Sequence, residues 1–204
     1  MVNFVYLASQ SPRRRQLLEQ LGVHYELLLA DEGEDAEALE LALKNEAPAA
    51  YVKRVTGLKL NAAVARLARR KLPPAPILCS DTTVALGRTI YGKPDNENDA
   101  ERMLTELAGR THRVLTAVAV QDGSQRFEAL NISKVSFAAM TATQVRKYVA
   151  TGEPMGKAGA YAIQGRVAMH ITRINGSYSG IMGLPLWETA GLLQSAGLEI
   201  QHNL

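Results

Sequence analysis

The chain has 204 residues, enough for one sizeable hydrophobic core, and its 47% apolar and 21% charged content excludes wholesale disorder. No apolar run approaches the roughly 20 residues needed to span a bilayer. A net charge of +3 with 5% aromatics argues against a nucleic-acid binder, and the single cysteine, Cys79, excludes an internal disulfide.

Residues 3–8 read as a strand. Ser9-Gln10-Ser11-Pro12 then opens a helix, with Ser11 as N-cap, Pro12 at the first helical position and Gly22 as the stop. The apolar stretch 4–8 is short, and the arginines at 13–15 follow it rather than precede it. That is the wrong order for a secretory signal, so a cytoplasmic location is expected. Residues 24–30 read as a second strand. The acidic segment 31–47 has no clear period and reads as an exposed loop. A long helix is expected over 48–71, with Tyr51, Val55, Leu58, Ala62 and Ala65 at helical spacing, closed by Pro73, Pro74 and Pro76.

Residues 77–86 form a strand-like run interrupted at Ser80-Asp81. A helix over 98–108 is closed by Gly109. Strands over 114–120 and 126–137 join at Asp122-Gly123, a common hairpin pair. Thr141 with Gln144 makes a capping box for a helix to residue 150. Gly152, Gly156, Gly159 and Gly165 punctuate a loop-rich stretch; a strand is expected over 167–174, and Pro185 starts a last helix ending near Gly197. The order predicts an α/β fold with a mixed sheet and flanking helices, in a single domain over 1–204 without internal repeats.

Several residues break local rules. Three arginines, Arg13, Arg14 and Arg15, oppose the positive end of the first helix. They form either a solvated basic face or, with the Ser9 and Ser11 hydroxyls and the free helix N–H groups, a polyphosphate site. Asp81 follows an apolar run and needs a partner. It is either a turn aspartate satisfied by backbone N–H groups or a ligand for Mg²⁺. Lys59 flanks the apolar stripe of the long helix, where lysine commonly snorkels, and Lys93-Pro94 sits in a turn. His24, His112, His170 and His202 show no zinc spacing, and no P-loop or dinucleotide fingerprint is present.

An ordered series of segments resembles the Maf (septum formation inhibitor) family: Ser9-Gln10-Ser11-Pro12-Arg13-Arg14, Ser80-Asp81-Thr82, Gly92-Lys93-Pro94, Lys157-Ala158-Gly159-Ala160-Tyr161, Ile163-Gln164-Gly165, Asn175-Gly176-Ser177-Tyr178 and Gly183-Leu184-Pro185. Arg13, the Lys157–Tyr161 segment and Gln164 are similar to the branch that cleaves dTTP and UTP. The resemblance implies a Maf/ITPase-like fold, a mixed twisted sheet in two lobes around a central cleft, often dimeric. It implies hydrolysis of a nucleoside triphosphate to monophosphate and pyrophosphate, dependent on a divalent cation, Mg²⁺ or Mn²⁺. Asp81 would be the proton acceptor and, with Glu34, the metal ligand; Lys59 and Lys93 would serve the phosphates. Ser9, Arg13, Arg14, Thr82, Lys157 and Gln164 would bind substrate, with Arg13, Thr82 and Gln164 setting specificity. Gly156 departs from the family, which commonly has aspartate there. A nucleotide-binding regulator of cell division with little catalysis is the alternative.

Overall fold

Alternation in two long strands sets the architecture of the computed structural model, which describes residues 4–34 and 38–200. In β3 (Ile77–Leu86), Ile77, Cys79 and Ala85 turn to one face, and Leu78 and Val84 to the other. β5 (Thr111–Asp122) repeats the pattern, with Leu115, Ala117 and Ala119 opposite Val114, Val118 and Val120. A strand apolar on both faces must be covered twice. α2 (Pro48–Arg69) covers the first face with Tyr51, Val52, Val55, Leu60 and Ala63. The second face is covered by Leu17 and Leu18 of α1 (Pro12–Gln20), Leu104 and Leu107 of α3 (Glu97–Leu107), and Val145 and Val149 of α4 (Ala142–Val149). Ile181 of α5 (Tyr178–Met182) and Leu193 of α6 (Leu186–Ser195) complete that layer.

Among the described residues the sheet has seven strands. Their order is β2 (Tyr25–Leu27), β1 (Val5–Leu7), β3, β5, β6 (Gln125–Phe137) and β7 (Ile171–Asn175), and β4 (Thr89–Tyr91) also pairs with β3. β1 runs parallel to β2 and β3, whereas β3 to β7 pair antiparallel, so the sheet is mixed as expected.

One consequence of this pairing positions the cleft. β5 occupies one edge of β3 from Ile77 to Ala85. On the other edge β1 pairs only at Ile77 and Leu78, and β4 only from Val84 to Leu86. Residues 79–83 of β3 therefore have no strand neighbour on that side among the described residues. The expected interruption at Ser80-Asp81 is thus not a break in the strand but its unpaired edge.

Other expectations shift. Asp122 pairs with Gln125, so Gly123 and Ser124 make the hairpin loop, with Gly123 at φ 53°. The expected strand over 167–174 begins as a 3-10 turn at Arg166–His170, because Val167 is drawn into the core; only Ile171–Asn175 pairs with β6. On α2, Leu58 and Ala65 are exposed and Leu60, Ala63 and Arg66 are buried, a stripe rotated from the one expected. The acidic loop contains a 3-10 turn at Ala38–Glu40. The capping box is present as read: the Thr141 hydroxyl accepts the Gln144 N–H, and the Gln144 side chain accepts the Thr141 N–H at 2.8 Å. Asn3, Asp35, Glu37 and His202 lie outside the described residues. No helix among those described is long and apolar enough to cross a membrane.

Candidate functional site

The unpaired edge of β3 floors a cleft of about 1060 Å³, walled by the β1–α1 loop, α2, residues 28–34, Leu39 and Glu40, residues 156–164 and the end of α5. That volume accommodates a molecule of nucleotide size.

The first wall resolves the arginine puzzle. Ser11 is the N-cap of α1 but makes no side-chain cap; its N–H donates instead to Ser9 Oγ at 3.2 Å. Arg14 turns inward. It donates from Nε to Gly183 O at 2.8 Å, from Nη1 to Ser9 Oγ at 3.2 Å and from Nη2 to Thr82 Oγ1 at 3.4 Å. Burial lowers its pKa, and the Asp81 carboxylate partly offsets this. Arg13 lines the cleft and donates from Nε to Met182 O at 3.3 Å; burial lowers its pKa as well. Arg15 is tied to the Gln10 carbonyl at 3.1 Å. One arginine is therefore scaffold, one faces the cleft, and one braces the loop.

Gly183 makes the scaffold possible. It ends α5 at φ 120°, a region that favours glycine, and its carbonyl also accepts from Ser80 Oγ at 3.0 Å. Thr82 Oγ1 meets Thr116 Oγ1 at 3.0 Å, and Thr116 Oγ1 donates to Gly180 O at 2.7 Å.

Asp81 lies on the α2 side of β3, in line with Cys79 and Ala85, and is 7% exposed. Lys59 Nζ donates to Asp81 Oδ1 at 2.5 Å and to Glu40 Oε1 at 2.7 Å. Lys93 Nζ reaches Glu40 Oε2 at 3.1 Å. Burial is the largest single influence on Glu40 and raises its pKa, but Lys59 and Lys93 together outweigh it and leave a net lowering. Tyr51 braces the same turn, donating to Glu40 O at 2.8 Å; burial, then Asp81 and Glu40, pushes its hydroxyl up to about 12.

Glu34, expected beside Asp81, lines the same cleft with its carboxylate bonded to arginines of α2. It accepts from Arg66 Nε and Nη2, at 3.2 and 2.5 Å, and also pairs with Arg69; Asp31 pairs with Arg69 and Arg70. Arg66 further donates to Leu28 O at 2.8 Å. Lys59 and Arg66 are seven residues apart on α2, about 10 Å along its axis, so the two acids meet different rungs of one helix. Glu34 latches the segment after β2 to α2, and Glu40 joins the Asp81 cluster. No sequence pattern linked Glu40 to Lys59; the seven-residue spacing of Lys59 and Arg66 is the signal that sets both on one face of α2.

No group of three His, Cys, Asp or Glu side chains that could hold a metal ion exists among the described residues. Asp81 and Glu40, joined through Lys59, supply two carboxylates. Such an open set, completed by phosphate oxygens and water, is the donor chemistry Mg²⁺ takes.

The opposite wall carries Lys157, Tyr161 and Gln164. Lys157 Nζ donates to the Glu153 and Met155 carbonyls, and burial, then Arg13, lowers its pKa. Gly159, at φ 68°, presses on β3 so closely that a Cβ would lie 2.8 Å from Val84 Cγ2. Gly156, at φ 71°, borders open space. Gln164 is exposed on the cleft wall. Behind it Tyr161 Oη meets His112 Nε2 at 2.8 Å.

His112 is 1% exposed, and burial pushes its pKa down to about 4 from 6.5. Between those values the unfolded chain binds the proton and the folded one does not, so stability falls as pH drops. The full span corresponds to up to about 3 kcal/mol. Urea unfolding at pH 7 and pH 4.5 should show this loss, and His112→Gln should flatten it; an unflattened slope places the acid sensitivity elsewhere.

A family model described as Maf-like protein matches residues 4–196. A dTTP/UTP pyrophosphatase from a Polaromonas species is 70% identical over 198 residues, covering 97% of this chain and 98% of that protein. A dTTP/UTP pyrophosphatase from Albidiferax ferrireducens is 64% identical, covering 98% and 100%. A solved structure, a nucleoside-triphosphatase (dITP/XTP pyrophosphatase) from Mycobacterium abscessus, is similar at a TM-score of 0.42 and 14% identity, covering 67% of this chain and 75% of that one.

Proposed function

Because the chain belongs to the Maf-like family, we infer that its cleft hydrolyses dTTP and UTP to the nucleoside monophosphate and pyrophosphate. The observation that carries this reading is the meeting of Asp81, Lys59, Glu40 and Lys93 in one cleft with the arginine-bearing start of α1.

Splitting a phosphoanhydride is chiefly a matter of positioning and charge. Asp81, held by Lys59, accepts the proton of the attacking water. A new bond forms from the water oxygen to the α-phosphorus, and the bond from that phosphorus to the α,β-bridging oxygen breaks. Pyrophosphate leaves with that oxygen. Arg13, Lys59, Lys93 and Lys157 balance the charge of the triphosphate, and the Ser9 hydroxyl and free N–H groups of α1 orient it. Arg14 and Thr82 act together, Arg14 fixing the Thr82 hydroxyl and the Gly183 turn against the substrate. A divalent cation, Mg²⁺ or Mn²⁺, would be held by Asp81 and Glu40 and supplies Lewis acidity and charge neutralisation at the phosphates.

Gln164 reads the base. Its carbonyl accepts from the N3–H of uracil or thymine while its amide donates to O4. Gln164→Ala should lower the dTTP-to-GTP ratio of kcat/KM more than it lowers kcat for dTTP; an unchanged ratio removes Gln164 from base selection. The chain's one cysteine is buried and forms no disulfide, which suits action in the reducing cytoplasm.

The deciding experiment is a panel of nucleoside triphosphates with Mg²⁺ or Mn²⁺ and identification of products. Monophosphate with pyrophosphate from dTTP and UTP is expected. Diphosphate with phosphate would mean a different cut, and tight binding without turnover would mean a nucleotide-binding regulator.

A further inference from the structure

The turn that presents Gln164 is gripped from beneath by a single carboxylate. Glu153 lies in the loop after α4, outside the cleft lining. Both its oxygens accept the Arg166 N–H, Oε1 at 3.0 Å and Oε2 at 3.2 Å. Oε1 also accepts the hydroxyl of Tyr148, a residue buried on α4, at 2.8 Å. That hydroxyl in turn accepts the Ala162 N–H at 3.4 Å. Ala162 and Arg166 are the two ends of the turn, which closes on itself through Gly165 N–H to Ala162 O at 2.9 Å. The Tyr148–Glu153 pair thus holds both ends of the segment that presents Gln164 to the cleft.

The fit is close enough to dictate the sequence. A Cβ on Gly165 would sit 1.9 Å from Glu153 Oε1 and 2.5 Å from its Cδ, so the carboxylate occupies the space a side chain would need. The same residue serves the phosphate side, because its backbone carbonyl accepts from Lys157 Nζ.

We propose that Glu153 is a positioning residue for base selection, fixing the backbone of the Gln164 turn so that its side chain is placed against the nucleobase. A long side chain on a loose turn spreads over many positions and meets the base in few of them; a turn held at both ends fixes where the Gln164 side chain starts and so favours its contact with the base edge. The proposal rests on the reading of Gln164 as the base-contacting side chain.

The test uses steady-state kinetics of the full chain with dTTP, UTP and CTP, for Glu153→Ala, Glu153→Gln and, in parallel, Gln164→Ala. Glu153→Ala removes the charged acceptor under the turn. It should raise KM for dTTP roughly tenfold, with kcat changed much less, and lower the dTTP-to-CTP ratio by a similar factor. Glu153→Gln keeps an acceptor oxygen and should recover most of the ratio. Inhibition by inorganic tripolyphosphate, which has no base, should be unchanged in all three. Equal losses for every nucleotide, or weakened tripolyphosphate inhibition, would make Glu153 merely structural and overturn the proposal. A Gln164→Ala variant that shifts the ratio while Glu153→Ala does not sinks the Glu153 role alone. An unchanged ratio in Gln164→Ala sinks the underlying reading instead, and this proposal with it. Should Glu153→Ala not fold, Tyr148→Phe carries the test, since it cuts the link to Ala162 while keeping the ring; an unchanged ratio there overturns the proposal.

Discussion

Asp81→Asn should reduce dTTP turnover by at least ~10²-fold, the scale of losing a general base, while nucleotide affinity stays near that of the unaltered enzyme. The substitution is nearly isosteric. The amide oxygen can still accept from Lys59, and Lys59 keeps Glu40 as a second partner, so no buried cation is orphaned. What disappears is the group that takes the proton from water. Stopped assays at saturating dTTP, with binding of the nucleotide measured separately, check both halves. Turnover within a few-fold of the unaltered enzyme would remove Asp81 as the proton acceptor. Loss of binding equal to the loss of turnover would make it a substrate anchor instead.

The parts of this molecule that were legible in its sequence are those where one local rule speaks strongly. A largely apolar, partly β-branched run gave β3, and its boundaries coincide with the structure. Proline at the first helical position and the glycine after it bracketed α1, and the capping box located α4. The arginines at 13–15 stood out because they contradict the helix dipole, although sequence could not divide their labour among cleft, scaffold and brace. What stayed hidden depends on long-range closure. β4 and α5, of three and five residues, are too short for any period to register. The stripe on α2 rotated because Arg66, a charged residue that no hydrophobic template would place inside, is buried by its bonds to Glu34 and the Leu28 carbonyl. The grip of Glu153 on the Gln164 turn likewise joins residues whose proximity only the folded chain reveals.

The choice between Glu34 and Glu40 gives the second large effect. Glu40→Gln should lower kcat/KM for dTTP about 10- to 100-fold, the range seen when a carboxylate that orders a metal or catalytic shell is neutralised. It removes the charge that Lys59 and Lys93 share beside Asp81, so the balance of charge around the Lys59–Asp81 pair changes. Stability should change little, since Lys59 retains Asp81. Glu34→Gln should do the reverse. Arg66 is 5% exposed and would lose its anionic partner, costing about 1–2 kcal/mol, while kcat stays within a few-fold. Measuring kcat/KM and urea midpoints for both variants separates the roles, because each is expected to move one quantity and spare the other. If Glu34→Gln instead abolished turnover at unchanged stability, the catalytic acid would lie on the Arg66 rung of α2. The Lys59–Glu40 contact would then be the latch.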